Sequence, residues 1–446
     1  MPSFDFHQYQ RRLKTRLGHK DDWKLRVIFW GGALMVGLII SLFVFLAEEA
    51  AHYFDQIYHR VTWAPLILTP VMFVAITWLM RKTGPQASGS GIPQVIVALN
   101  SQHPALRDKL LAFPTGIVKM ILTSLALLAG ASVGREGPSV HIGAAMMYQI
   151  GKRAGAKFAY MRTAFIQAGG AAGVAAAFNA PLAGIVFAIE ELAQAYEART
   201  SGTLILAIII SGIVVVSIYG NYTYFGVTSE TLHLVQDWPA VLVVALVGGA
   251  AGGLFSLLLQ EGNRRVAPIV ETMPYRWALL MGLLVAAIGV FSGGLTFGSG
   301  YEQASRYLAI NAEEGSAAFP LLKFIATLLS YLSGIPGGIF SPSLSTGAGL
   351  GGWLAGFFTQ APVQALAILG MTAFLSGVVQ RPITSFVIVM ELTGEQSMLL
   401  PLMIAAVLSN GVSRVICQPP IYHGLAQNLL KKPENSEKAK THDTTD

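Results

Sequence analysis

Gly134-Arg135-Glu136-Gly137-Pro138 lies a short way beyond a strongly apolar run, Met120-Ile121-Leu122-Thr123-Ser124-Leu125-Ala126-Leu127-Leu128. Its glycines and proline predict a chain break that opens a helix, because Gly permits the bend and Pro suits the first helical turn. A helix that starts here leaves free backbone N–H groups pointing outward at the positive end of its dipole. Glu136 adds a titratable carboxylate to the same few residues. A carboxylate at membrane depth is costly, so its presence predicts function. An anion-binding backbone beside a titratable anion points to anion transport coupled to protons.

The surrounding chain is built for lipid. Its 446 residues are 53% hydrophobic and 12% charged, against about 25% charged in soluble domains. With about 20 apolar residues needed per span, about ten to twelve hydrophobic segments can be counted. Many are too short to cross alone, cut by Gly and Pro around Gly134, Asn179, Gly338 and Arg381. The leader holds Arg11, Arg12, Lys14, Arg16, Lys20, Lys24 and Arg26, and the tail holds Lys431, Lys432, Lys438 and Lys440. Both termini are therefore expected in the cytoplasm. The net charge of +6 follows from that orientation and does not argue for nucleic acid. The long segment before the first apolar run, with no small-residue cleavage site after it, argues against a signal peptide.

Several chemistries are disfavoured. A single Cys417 excludes an intrachain disulfide and a multi-cysteine metal site. The absence of His-Glu-x-x-His and of a glycine loop ending in Gly-Lys-Ser/Thr argues against zinc proteolysis and ATP-driven pumping. No metal and no organic cofactor is expected.

A weak internal repeat organises the chain. Pro181 to Glu190 lines up with Pro382 to Glu391, 201 positions on, and Gly134 to Pro138 lines up with Gly338 to Pro342, 204 positions on. The chain thus reads as two related halves meeting near residues 225–238, a common transporter plan with its site at the interface of the halves. Gly169-Gly170-Ala171-Ala172-Gly173 predicts a helix that packs closely on a neighbour. The expected divisions are 1–26 (basic cytoplasmic segment), 27–225 and 239–422 (transmembrane halves) and 423–446 (cytoplasmic tail).

Gly and Pro stand four apart in Gly89-Ser90-Gly91-Ile92-Pro93, in Gly134 to Pro138 and in Gly338-Ile339-Phe340-Ser341-Pro342. The spacing alone carries little in a chain so rich in both. The content carries more, since converging helix starts would hold an anion without a full positive charge. A Lys or Arg ligand would hold it too tightly for turnover.

Taken in order, Gly-Ser-Gly-Ile-Pro, Gly-Arg-Glu-Gly-Pro, Gly-Gly-Ile-Phe-Ser-Pro and the late Tyr422 resemble the CLC chloride channel and transporter family. Asn179 to Gly184 and Glu190-Glu191 extend the likeness, which runs from about residue 28 to 425. The resemblance implies an all-α membrane protein of two inverted-topology halves with broken, tilted helices. It implies a homodimer with one pore per subunit. The chain's end at Asp446 implies no cytoplasmic CBS domains, as in prokaryotic members of the inner membrane. It further implies that the Ser90 and Tyr422 hydroxyls contact a central chloride, that the Ile339 and Phe340 amides complete its cage, and that the amides of Arg135, Glu136 and Gly137 face the outer end.

Each position has a plain alternative. Ser before a helix is commonly its cap. A Tyr at the end of the last apolar run commonly anchors at the membrane interface. Glu136 has the structural alternative of an ion pair with Arg135, although adjacent residues on an ordered backbone seldom face each other. The functional reading makes Glu136 a gate that occupies the anion path and yields it when protonated.

Glu190 has a repeat partner in Glu391, which suggests a shared structural role such as ending a helix. Glu191 aligns with Leu392, so its charge belongs to one half only. By the resemblance it is the internal proton acceptor, a residue that channels of the family lack. Its alternative is exposure to cytoplasmic water. Lys119 is placed to balance buried carboxylates, with no partner named by the sequence. Arg381 is expected to snorkel to the surface, and His141 is left unassigned, a lone His there being more often a packed polar residue than a proton relay.

The reading that results is a proton-coupled chloride antiporter, with chloride and protons as substrates and lipid as surroundings. A passive chloride channel is the alternative on the same scaffold. An intramembrane enzyme using Glu190 and Glu191 as a pair fits poorly, because adjacent helical residues diverge by about 100°. A membrane scaffold without flux is a further alternative.

Overall fold

The computed structural model describes residues 20–155, 161–193, 198–227, 230–232, 236–309, 312, 314–358 and 360–430. The basic leader before Lys20 and the lysines of the tail lie outside these residues. Among the described residues the chain is helical, with no strand and two isolated backbone bridges.

The first half comprises α1 (Lys20–Arg60), α2 (Pro65–Thr83), α3 (Ile92–Asn100), α4 (Pro104–Leu110), α5 (Phe113–Leu128), α6 (Glu136–Arg153), α7 (Arg162–Phe178), α8 (Pro181–Phe187) and α9 (Ala198–Tyr219). A wider π turn, Ala188–Ala193, prolongs α8. The second half comprises α10 (Trp238–Thr272), α11 (Pro274–Phe291), α12 (Tyr301–Leu308), α13 (Ala318–Leu332), α14 (Phe340–Ala355), α15 (Val363–Val379), α16 (Pro382–Thr393) and α17 (Leu399–Ile416). A last helical stretch, α18, covers 421–430.

Composition sorts these helices by depth. On α1, Leu34, Leu38, Leu42 and Phe45 are exposed turn after turn, an apolar stripe suited to lipid. By contrast α15 is buried along nearly its whole length, as expected of a helix that is apolar all round. Short helices whose ends stop at depth, such as α3, α6 and α14, are tolerated because those ends are buried in protein.

The repeat is visible in the backbone. Asn179 and Gln380, at equivalent positions, both turn left-handed with φ of 54° and 55° and end α7 and α15. Gly143 lies against Gly169 where α6 meets α7, and their equivalents Gly347 and Gly370 touch where α14 meets α15. In each case a Cβ would strike a backbone carbonyl, so small residues set the spacing.

The halves are inverted. Gly134 N–H donates to the Gly338 carbonyl (2.8 Å), and Gly338 N–H donates to the Gly134 carbonyl (2.7 Å). Such a mutual exchange requires the two segments to run in opposite directions.

The matched glutamates lock the same arrangement. Glu190 accepts from the Ile383 and Thr384 amides (3.3 and 2.7 Å) at the start of α16. Glu391 accepts from the Leu182 and Ala183 amides (3.1 and 2.7 Å) at the start of α8. The expected shared structural role is therefore capping, and each glutamate caps the beginning of the other half's helix.

Candidate functional site

The starts of α3, α6 and α14 meet in the buried interior. Backbone bonds tie their loops together. Besides the Gly134–Gly338 exchange, Gly89 N–H donates to the Ile335 carbonyl (3.3 Å) and Gly337 N–H to the Gly89 carbonyl (3.2 Å). The loops approach too closely for side chains. A Cβ on Gly137 would strike Ser90 Oγ, and Gly91, at φ 102°, abuts His141. None of the three starts has a side-chain cap. The amides around Arg135, Glu136 and Gly137, and around Ile339, Phe340 and Ser341, therefore have no partner from their own helix.

Glu136 is the first residue of α6 and is 1% exposed. Its Oε1 accepts a hydrogen bond from Ser341 Oγ at 2.5 Å, so the carboxylate reaches from the start of α6 to the start of α14. Its Oε2 is buried without a partner. A carboxylate so placed is expensive unless its charge is met, and two helix starts meet it. A cavity of about 500 Å³ leads to Arg135 and Glu136, walled by the C-terminal part of α1 and by residues around Tyr224 and Gly298.

Arg135 does not pair with Glu136. Its Nη1 bonds Glu48 Oε1 at 2.7 Å and the Val44 carbonyl at 3.4 Å, and its guanidinium stands 5.7 Å over the Tyr224 ring. The structural alternative for Glu136, an ion pair with its neighbour, is thereby removed. Glu48 lies on α1, far away in sequence, and nothing in the sequence pointed to it.

Ser90 and Tyr422 are both fully buried. Tyr422 stacks on Phe340 (centroids 5.8 Å apart, planes at 24°), so it is not an interfacial anchor. Phe340 in turn meets Phe178 and Phe187 edge-on at 6.4 and 6.1 Å. The Ser90 and Tyr422 hydroxyls lie near each other without hydrogen-bond geometry, and neither has a partner in the protein. Native proteins rarely leave buried hydroxyls unpaired. Two such donors beside uncapped helix starts form an anion-binding lining.

Lys119 does not balance a carboxylate. Its buried Nζ donates to the Ser88 and Gly89 carbonyls (3.1 and 2.8 Å) and so fixes the loop that carries Ser90. Its repeat partner Lys323 does the same for the Thr296 and Gly298 carbonyls (3.0 and 2.8 Å), in a second Gly-Ser-Gly before α12. Both Lys323 and that second motif were present in the sequence as repeat matches. His141 is packed, with Nε2 donating to the Leu110 carbonyl at 2.9 Å.

Glu191 is 1% exposed, so it does not face bulk water. Its Oε2 accepts from Arg381 Nε at 2.6 Å. The expectation that Arg381 snorkels to the surface is wrong: a buried carboxylate 190 residues earlier holds its guanidinium inside. Glu190 and Glu191 serve different partners, the α16 amides and Arg381, and share no reaction centre. Among the described residues no group of three or more His, Cys, Asp or Glu gathers as a metal site.

Comparison with known proteins gives a consistent result. The family described as voltage gated chloride channel matches residues 72–414. The chain is 29% identical to the H(+)/Cl(-) exchange transporter ClcA of Salmonella arizonae, over 99% of this chain and 98% of that protein. It is also 29% identical to ClcA of Klebsiella pneumoniae, over 98% and 97%. Its fold is similar to that of a slow cyanobacterial Cl-/H+ antiporter, with a TM-score of 0.78, 23% identity and coverage of 91% of this chain and 98% of that one. It is also similar to a CLC-type fluoride/proton antiporter, with a TM-score of 0.76, 21% identity and coverage of 89% and 97%.

Proposed function

The chain belongs to the voltage gated chloride channel family, and we propose that it works as a proton-coupled chloride antiporter. The observation that carries this reading is the Glu136 carboxylate, buried and bonded through one oxygen to Ser341 of the opposite half. It sits where two helix starts present free amides. Chloride and the carboxylate compete for the same donors. Protonation of Glu136 removes its charge, weakens the charge-assisted bonds that hold it, and frees the site for chloride.

On the inner side, the Ser90 and Tyr422 hydroxyls and the Ile339 and Phe340 amides bind chloride. On the outer side the amides of Arg135, Glu136 and Gly137 take over. Neutral donors hold a halide loosely enough for it to leave. Glu191 receives protons from the inner side. A buried carboxylate with a dedicated cation at that position favours exchange over a passive channel, and the names of the bacterial relatives agree.

Lys24 and Arg26 at the start of α1 support a cytoplasmic start for that helix, and on that reading the cavity above Glu136 opens outward. The protein is read as a homodimer in a prokaryotic inner membrane, with one pore per subunit. Residues 27–225 and 239–422 are its transmembrane halves, between cytoplasmic segments 1–26 and 423–446. In liposomes, a chloride gradient should drive protons uphill. Glu136→Gln should abolish that proton movement while chloride continues to pass. Coupled proton flux that persists in the variant would refute the gate.

A further inference from the structure

Asn179 and Gln380, the left-handed residues that end α7 and α15, do a second matched job. Asn179 Nδ2 donates to the Tyr222 carbonyl at 3.0 Å. Gln380 Nε2 donates to the Cys417 carbonyl at 2.7 Å. Each side-chain amide thus holds the chain that leaves the last long helix of its half, α9 or α17. Each held chain then delivers a buried tyrosine to the interior. Tyr224 comes 45 positions after Asn179, and Tyr422 comes 42 positions after Gln380. The two rings are 6% and 0% exposed.

The tyrosines also have matched neighbours. The Tyr422 hydroxyl lies near that of Ser90, and the Tyr224 hydroxyl lies near that of Ser341, within electrostatic reach of Glu136. Phe178 meets Tyr224 edge-on at 5.6 Å and meets Phe340, on which Tyr422 stacks. One aromatic row therefore joins the two phenols across the gate. They differ in what lies beyond them, since Tyr224 lines the cavity that leads to Glu136.

The Tyr224 ring is fixed in place. Arg135, tied to Glu48, stands over it, and Phe225 N–H anchors the next residue to the Leu392 carbonyl at 2.9 Å. Ser341 directs its own hydrogen at Glu136 Oε1. Among these two hydroxyls the one able to donate to an anion arriving from the cavity is that of Tyr224.

We propose that Tyr224 is the outer counterpart of Tyr422, its hydroxyl donating to chloride at the cavity end of the anion path. This role rests on the gate reading above. While the Glu136 carboxylate occupies that end, chloride is kept from it. When the carboxylate is neutralised and leaves, the halide takes its place beside the phenol. A neutral donor holds the ion without trapping it. Each half thus contributes one tyrosine, and the path has a phenol at either end.

The test is calorimetric chloride titration of the unsubstituted full-length protein, Tyr224→Phe, Glu136→Gln and the double variant. Tyr224→Phe keeps the ring against Phe178 and under Arg135, so the melting temperature in detergent should hold. Apparent chloride affinity should fall about fivefold to tenfold in the Glu136→Gln background. It should change little where the carboxylate still fills the outer end. A ring that serves packing alone predicts no change in either background. Unchanged affinity in the Glu136→Gln background, or an equal fall in both backgrounds, overturns the assignment. So does a gain confined to the protein that keeps Glu136, which would make Tyr224 a holder of the gate. A second measurement needs no Tyr224 variant. Bromide diffused into crystals of Glu136→Gln should give an anomalous peak within hydrogen-bond distance of the Tyr224 hydroxyl. Peaks confined to Ser90 and Tyr422 overturn the assignment. Failure of the unsubstituted protein to move protons uphill in liposomes instead overturns the antiport reading, and the bromide position still decides on Tyr224.

Discussion

Ser341→Ala should make chloride bind more tightly. Ser341 Oγ donates to Glu136 Oε1 at 2.5 Å, both groups being buried. A hydrogen bond to a charged acceptor is worth about 1.5–3 kcal/mol, and one to a neutral acceptor about 0.5–1.5 kcal/mol. Ser341 therefore holds the ionised carboxylate in the anion path by roughly 1–1.5 kcal/mol more than it holds the protonated form. Removing the hydroxyl weakens the competitor of chloride by that amount. With about 1.4 kcal/mol per factor of ten, apparent chloride affinity at neutral pH should rise about five- to tenfold. Calorimetric chloride titration of the purified protein measures it. In the Glu136→Gln background no charge remains to be held, so the same change should have little effect. Weaker chloride binding in Ser341→Ala, or an equal gain in both backgrounds, would show that Ser341 is a chloride ligand and not the latch of the gate.

Further outcomes follow from the same geometry. Tyr422→Phe keeps the stack on Phe340 and loses only the hydroxyl, so chloride affinity should fall about tenfold while the melting temperature in detergent holds. Glu190→Ala and Glu391→Ala each strip two amides of their acceptor, so each should cost about 1–2 kcal/mol of stability. Their reciprocal positions predict nearly equal losses in melting temperature, and a large inequality would count against capping.

Much of this architecture could be read from local patterns. The three Gly/Pro segments did open helices, and the matched glutamates did share one role. Glu136 and Ser90 stood out because their chemistry lay inside a few consecutive residues. What escaped were partnerships between distant residues. Arg381 finds Glu191 only once the two halves fold together, and Glu48 finds Arg135 only when α1 lies beside α6. Lys119 found no partner in the sequence because its partners are backbone carbonyls, which leave no trace in residue identity. The alternative of an interfacial anchor for Tyr422 stood because its place in the chain, after the last long apolar run, says nothing of how α18 turns back inward.

The exchanged caps have a consequence for how the protein is made. Neither half can finish its own α8-type helix, since the glutamate that closes it is encoded about 200 positions away. A nascent chain that has inserted only its early half carries bare amides in hydrocarbon, each costly until met. Maturation must wait for the late half, and a ribosome that stops early leaves a product that quality control can recognise by its unfinished helix.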